Sequence, residues 1–231
     1  MPRVVYEEQA FFRDRTDAGR QLAERLKDYG GGKSVVYAIP RGGIPVAVEV
    51  AGKLGAPLDV VVPRKIVIPD NPEAGFGAIT EDGTIVLNEP LVRQLELTEP
   101  LIQHQVEIAR AEILRRTAVF REHLPETGVE GKTAIIIDDG LASGYTMVAA
   151  VKSMQRRKAS KIVVAVPVAS GSAYDLVKRI VDELVCLVLA RTYGFAVASF
   201  YRRWHDLTDE EVNKHLEGWQ AAQARKQSEA S

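Results

Sequence analysis

Three apolar runs in the second half of the chain, over 132–138, 161–166 and 184–189, are separated by stretches of helical periodicity at 145–157 and 171–180. A strand written as an unbroken apolar run is buried on both faces, and a strand–helix–strand rhythm returns each strand parallel to the one before. The segment therefore demands an α/β fold: a parallel-dominated sheet between two layers of helices. The first half repeats the rhythm. Ala18, Leu22, Ala23 and Leu26 recur at steps of three and four within a helix predicted over 14–29, stopped by Gly30-Gly31-Gly32. A strand follows over Ser34–Ile39, broken by Pro40-Arg41-Gly42-Gly43, then a helix over 44–55 and a strand over Leu58–Val62.

Residues 63–83 hold three prolines, three glycines and several charges, and end in Glu81-Asp82-Gly83-Thr84, which predicts a long mobile loop closed by a turn. From Thr98 to about Glu122, Ile102, Val106, Ala109, Ile113 and Phe120 share one face of a long helix, with Thr98 as N-cap and Glu112/Arg116 as an i,i+4 pair. Thr208-Asp209-Glu210-Glu211 is a capping box opening a last helix, whose tail from about Ala221 is polar enough to fray. With no Pro/Ser-rich linker and no internal repeat, residues 1–231 read as one domain with a C-terminal helix from about 208.

Thirty Lys and Arg against thirty-one Asp and Glu leave a net charge of −1, so the chain offers no electrostatic footprint for nucleic acid or an anionic membrane. Small-molecule partners are expected. There is no apolar leader or membrane-length run, and the single cysteine, Cys186, falls in a buried-strand pattern, which fits a reducing, cytoplasmic setting. His104, His123, His205 and His215 show no metal-ligand spacing.

The segment that carries chemistry is Thr133-Ala134-Ile135-Ile136-Ile137-Asp138-Asp139-Gly140-Leu141-Ala142-Ser143-Gly144-Tyr145-Thr146. Two acids end a buried strand, and a small-residue loop opens a helix, at the edge where open α/β sheets bind ligands. Gly144 lets backbone N–H groups converge, Ser143 and Thr146 add hydroxyls, and the helix adds its positive end, so the loop suits a phosphate. The two carboxylates suit a vicinal diol and lie where a divalent cation carried by phosphates would pass. Gly30-Gly31-Gly32-Lys33-Ser34 mimics a Walker A end but precedes a strand, and Gly140-Leu141-Ala142-Ser143-Gly144 lacks the spacing of a hydrolase elbow.

This segment resembles the phosphoribosyl-pyrophosphate motif of the type I phosphoribosyltransferases. Ile39-Pro40-Arg41-Gly42-Gly43 is similar to that family's pyrophosphate loop, and Pro63-Arg64-Lys65 to the basic pair ahead of its flexible loop, which would be residues 66–83. RGGIPVAVEVAGKLGAPLDVV, RKIVIPDNPEAGFGAITEDG, AVPVASG and SFYRRWHDLTDEEV are similar to a branch of unassigned substrate, over about residues 15–216. The resemblance implies a three-layer α/β/α fold with a small hood near 190–205. It also implies magnesium bound together with phosphoribosyl pyrophosphate, without dedicated metal ligands of the protein's own.

In that reading Asp138 and Asp139 take the ribose, Ala142, Ser143, Gly144, Tyr145 and Thr146 the 5-phosphate, and Arg41, Gly42, Arg64 and Lys65 the pyrophosphate. The Arg41–Gly42 peptide is expected to be strained or cis. Phe195 is similar to a hood phenylalanine that stacks on a base, although a core aromatic would read the same. Glu81 is loosely similar to a base-serving glutamate, while Glu-Asp-Gly is also ordinary turn chemistry. Hypoxanthine-guanine-type members carry Asp where this chain has Ala142, which argues against a 6-oxopurine. The expected activity is phosphoribosyl transfer to a base-like nitrogen acceptor, with homo-oligomer formation compatible with the sequence. The alternative is a non-catalytic sensor of phosphoribosyl pyrophosphate or a nucleotide.

Overall fold

The structure, a computed structural model, describes residues 1–7, 9–69 and 71–229. Six parallel strands form the main sheet in the order β1-β9-β8-β7-β2-β3: β1 Arg3–Val5, β2 Ser34–Ala38, β3 Leu58–Val60, β7 Thr133–Ile137, β8 Lys161–Ser170 and β9 Glu183–Ala190. The pleat divides each central strand between two cores. Val36, Ala38, Ile135, Ile137, Val163 and Ala165 face α1 (Arg15–Arg25), α2 (Gly43–Leu54), α4 (Glu99–Arg121) and α7 (Asp209–Glu229). Val35, Tyr37, Ala134, Ile136, Ile162 and Val164 face α5 (Tyr145–Arg156) and α6 (Gly171–Lys178). These are the three layers that the unbroken apolar runs required.

Residues 63–83 differ from expectation. They form β4 (Arg64–Ile68) and β5 (Asn71–Ile79), which pair antiparallel with each other and then with β6 (Ile85–Leu87) in a second, three-stranded sheet. Its faces are apolar: Ile66 and Phe76 join the core under α4, and Ala78 and Val86 the core under α5. Two of the glycines in this segment serve close approach. A Cβ on Gly77 would lie 2.5 Å from the Val86 carbonyl oxygen, and one on Gly75 would overlap the Lys65 side chain. Asp70, within the expected loop, lies outside the described residues.

Smaller corrections have local causes. β8 runs four residues past its expected end, because Val168–Ser170 pair with Val188–Ala190 of β9. α1 ends at Arg25, and Lys27–Tyr29 tighten into a 3₁₀ turn. The last helix runs through Glu229 instead of fraying from Ala221, beyond a capping box in which the Glu211 amide donates to Thr208 Oγ1 (3.2 Å) and the Thr208 amide to Glu211 Oε2 (2.9 Å). A short helix, α3 (Glu89–Gln94), precedes α4. No helix among the described residues is long and apolar enough to cross a membrane.

Candidate functional site

Asp138 and Asp139 leave the C-terminal end of β7 in the middle of the sheet, and the loop beyond them is stitched to β8. The Leu141 amide donates to the Val168 carbonyl and the Ser170 amide to the Leu141 carbonyl, each at 2.9 Å. Gly144, with φ of 83°, caps α5 in the left-handed conformation, and no side chain among the described residues caps that helix end. The first-turn N–H groups of α5 are thus presented beside exposed Ser143 and half-buried Thr146.

The second loop, Pro40–Gly43, lies directly over the acids. Ala38 and Ile137 are in register, so the two loops leave the sheet at the same level. A Cβ on Gly43 would stand 2.7 Å from the Ile137 carbonyl oxygen, and one on Gly42 would stand 1.9 Å from Asp139 Oδ2. Only glycine fits at either position. The cis peptide in this loop joins Pro40 to Arg41, one bond before the Arg41–Gly42 bond expected from the resemblance.

The two acids differ in their surroundings. Arg15, from the first turn of α1, places Nε 2.7 Å from Asp139 Oδ2, with side chains only 9% and 13% exposed. The same guanidinium donates to the His205 carbonyl at 3.0 Å and stacks 3.8 Å over the Trp204 ring, while Tyr201 donates its hydroxyl to the Asp139 carbonyl at 2.6 Å. Asp138 accepts the Asp139 amide at 2.8 Å and, among the described residues, has no cation of its own. Burial, together with the neighbouring Asp139 charge, pushes the Asp138 carboxyl well above the usual carboxylate range. Burial also raises Asp139, against the pull of Arg15. Two hard oxygen donors crowded this way fit a magnesium ion arriving on a ligand's phosphates, because that charge would relieve their repulsion. Sequence reasoning missed Arg15, whose only signal was a charged residue beside the apolar stripe of the first helix.

The basic residues spread more widely than expected. Arg41 sits 3.5 Å from Asp209 at the start of α7. Arg64 pairs at 2.5 Å with Glu112 of α4, whose charge also acts on Arg116, the expected i,i+4 partner. Arg116 is left half-buried, and burial together with the charges of Arg64 and Arg41 lowers its pKa. Arg41, Arg64 and Arg116 therefore share one field, and Arg116 is a second residue that the sequence did not reveal. Being adjacent on a strand, Arg64 and Lys65 point to opposite faces, and the Lys65 stem crosses Gly75. Glu81 lies in the turn between β5 and β6, accepting the Val62 amide at 2.9 Å, with β2 and β3 between it and the acids. Gly83, with φ of 78°, completes that turn.

Phe195 tilts against Phe200 at 5.4 Å and also lines a cavity of about 540 Å³ beside Ala142 and Ser143. The hood is closed by Phe11 stacked on Phe200, so both ends of the chain contribute to it. Cys186 lies buried in β9, as expected.

A family profile described as phosphoribosyl transferase domain matches residues 9–199. Two Mycobacterium tuberculosis proteins, from strains CDC 1551 and H37Rv and provisionally named phosphoribosyl transferases, are each 42% identical over 206 residues, covering 89% of this chain and 46% of theirs. The chain thus spans about half the length of the curated relatives it matches. The crystal structure of the protein TT1426 from Thermus thermophilus superposes with a TM-score of 0.75 at 36% identity, covering 90% of this chain and 98% of that one. The matched span holds the acid pair, the glycine loop above it and the capped helix end beyond, and the chain belongs to the phosphoribosyl transferase domain family.

Proposed function

We propose that the protein transfers a phosphoribosyl group from magnesium-bound phosphoribosyl pyrophosphate to a ring-nitrogen acceptor, releasing pyrophosphate. The observation that carries this reading is the close approach of Gly42 to the Asp139 carboxylate, which lays a glycine loop over the acid pair that leads through residues 140–143 into the glycine-capped start of α5. Loop 142–146 and the α5 N-terminus hold the 5-phosphate, and Asp138 with Asp139 accepts from the ribose hydroxyls. Arg15 orients Asp139 without touching the ligand. Arg41, Gly42, Arg64 and Arg116 draw the pyrophosphate away from C1 as its charge develops. Magnesium supplies charge neutralisation on the leaving group, with Asp138 and Asp139 the carboxylates that would hold it. Fixing both ends of the donor aligns C1 with the incoming nitrogen.

The test is pyrophosphate release from phosphoribosyl pyrophosphate and magnesium across a panel of nitrogen heterocycles, beside calorimetric titration of the donor alone. Donor binding with acceptor-dependent release is the expected result. Absence of donor binding at millimolar concentration would reject the reading.

A further inference from the structure

The cavity beside Ala142 and Ser143 has a wall chemistry that narrows the acceptor. It opens between the ends of β8 and β9, the start of α6 and the hood, and Arg191 is the one charged residue among the described residues that line it. Arg191 follows β9, and its own amide donates to the Val5 carbonyl at 2.8 Å, so its backbone is fixed by the sheet edge. Its guanidinium folds back over α6, where a Cβ on Gly171 would lie 3.2 Å from Nη1. A cation over the first residue of a helix is the reverse of the favourable arrangement, since that end already carries positive partial charge. Asp175, one turn along α6, meets Arg191 only at 3.5 Å, with side chains 45% and 48% exposed, and offsets little of this.

The remaining walls are flat or hydroxylated. Phe195 and Ala142 offer apolar surface, and Ser170 is already spent, donating to the Ala142 carbonyl at 2.7 Å and accepting the Ala173 amide at 3.1 Å. Ser172, 3.3 Å from Ser170, donates its one proton to it, since Ser170's proton goes to Ala142, and so faces the cavity only as an acceptor. A flat ring against Phe195 would therefore meet a guanidinium at its edge, and no carboxylate among the described lining residues.

We infer that the acceptor is a planar nitrogen heterocycle bearing an anionic oxygen group, a carboxylate or an ionised ring oxygen, received by Arg191. This rests on the proposed transferase reading and names the substrate class of the same site. A charged acceptor forms charge-assisted hydrogen bonds there that its neutral counterpart cannot.

The test is equilibrium binding, by calorimetry, of matched pairs: pyridine-3-carboxylate against pyridine-3-carboxamide, and imidazole-4-carboxylate against imidazole-4-carboxamide. No donor is needed, so the result does not depend on turnover. At least one carboxylate should bind about tenfold or more tightly than its amide. Arg191→Gln should abolish that preference and Arg191→Lys should keep part of it, with circular dichroism checking that each variant is folded. Equal affinity within every pair, no binding by either carboxylate, or a preference unchanged in R191Q would overturn the inference. Charge preference without donor binding would reject the transferase reading while retaining the anion site; donor binding without charge preference would do the reverse.

Discussion

Replacing Asp139 by Asn, without ligand, tests whether this acid is held by Arg15. Removing one partner of a buried ion pair costs about 3–5 kcal/mol, because the other is left charged and unpaired. Asn keeps the shape and one acceptor, and Arg15 retains the His205 carbonyl and the Trp204 ring, so the expected loss is about 1–2 kcal/mol. For a chain of 231 residues this lowers Tm by about 2–8 °C. Asp138→Asn should behave oppositely. It removes the acid that has no cation among the described residues and relieves its repulsion with Asp139, so Tm should hold or rise. The assay is scanning calorimetry of wild type, D138N and D139N in buffer with chelator, so that no stray cation bridges the pair. If D139N melts with wild type, or D138N falls below it, the account of Arg15 as the holder of Asp139 is wrong. Both variants should still lose about tenfold or more in affinity for phosphoribosyl pyrophosphate, since each loses a charge-assisted bond to the donor.

Gly42→Ala should cost more than about tenfold in donor affinity, because its Cβ would sit 1.9 Å from Asp139 Oδ2 and must displace a carboxylate that the proposed function assigns to the donor's ribose; titration calorimetry reads this directly. Arg116→Gln should weaken competitive inhibition by pyrophosphate about tenfold, with an unchanged inhibition constant counting against its place in the arginine cluster. Cys186 should resist a thiol reagent at about pH 8 in the native protein and react promptly in denaturant, because burial pushes the thiol up to about 12; rapid native labelling would contradict that burial.

How much of this was legible in the sequence depended on whether the information was local. The apolar runs at β7, β8 and β9 announced their own burial, and Asp138–Thr146 announced a strand end, a small-residue loop and a helix start, because neighbours in sequence do both jobs. The β4–β6 sheet was misread because Gly75 and Gly77 look like loop residues until the partner strand shows what they make room for. Arg15 and Arg116 were missed for a different reason. A lone arginine on an amphipathic helix carries no mark of its partner when that partner is Asp139, 124 residues away. Glu112 was assigned the nearest cation along its own helix, but packing of α4 beside β4 brought Arg64 closer.

Both ends of the chain converge on Asp139. Phe11 and Phe12 donate to the Phe200 carbonyl, Arg202 and Arg203 donate back to Phe12 and Arg13, and Arg15 spans 190 residues to the His205 carbonyl. During synthesis the sheet around β7 is available early, whereas the clasp that fixes its acid waits for residues near 205 to emerge. Ribosome-bound chains halted before that point would carry Asp138 and Asp139 at the strand end without the clasp that holds Arg15 against Asp139. A closure spanning so much of the chain also predicts that the site opens under mild denaturant before the central strands exchange their amide protons.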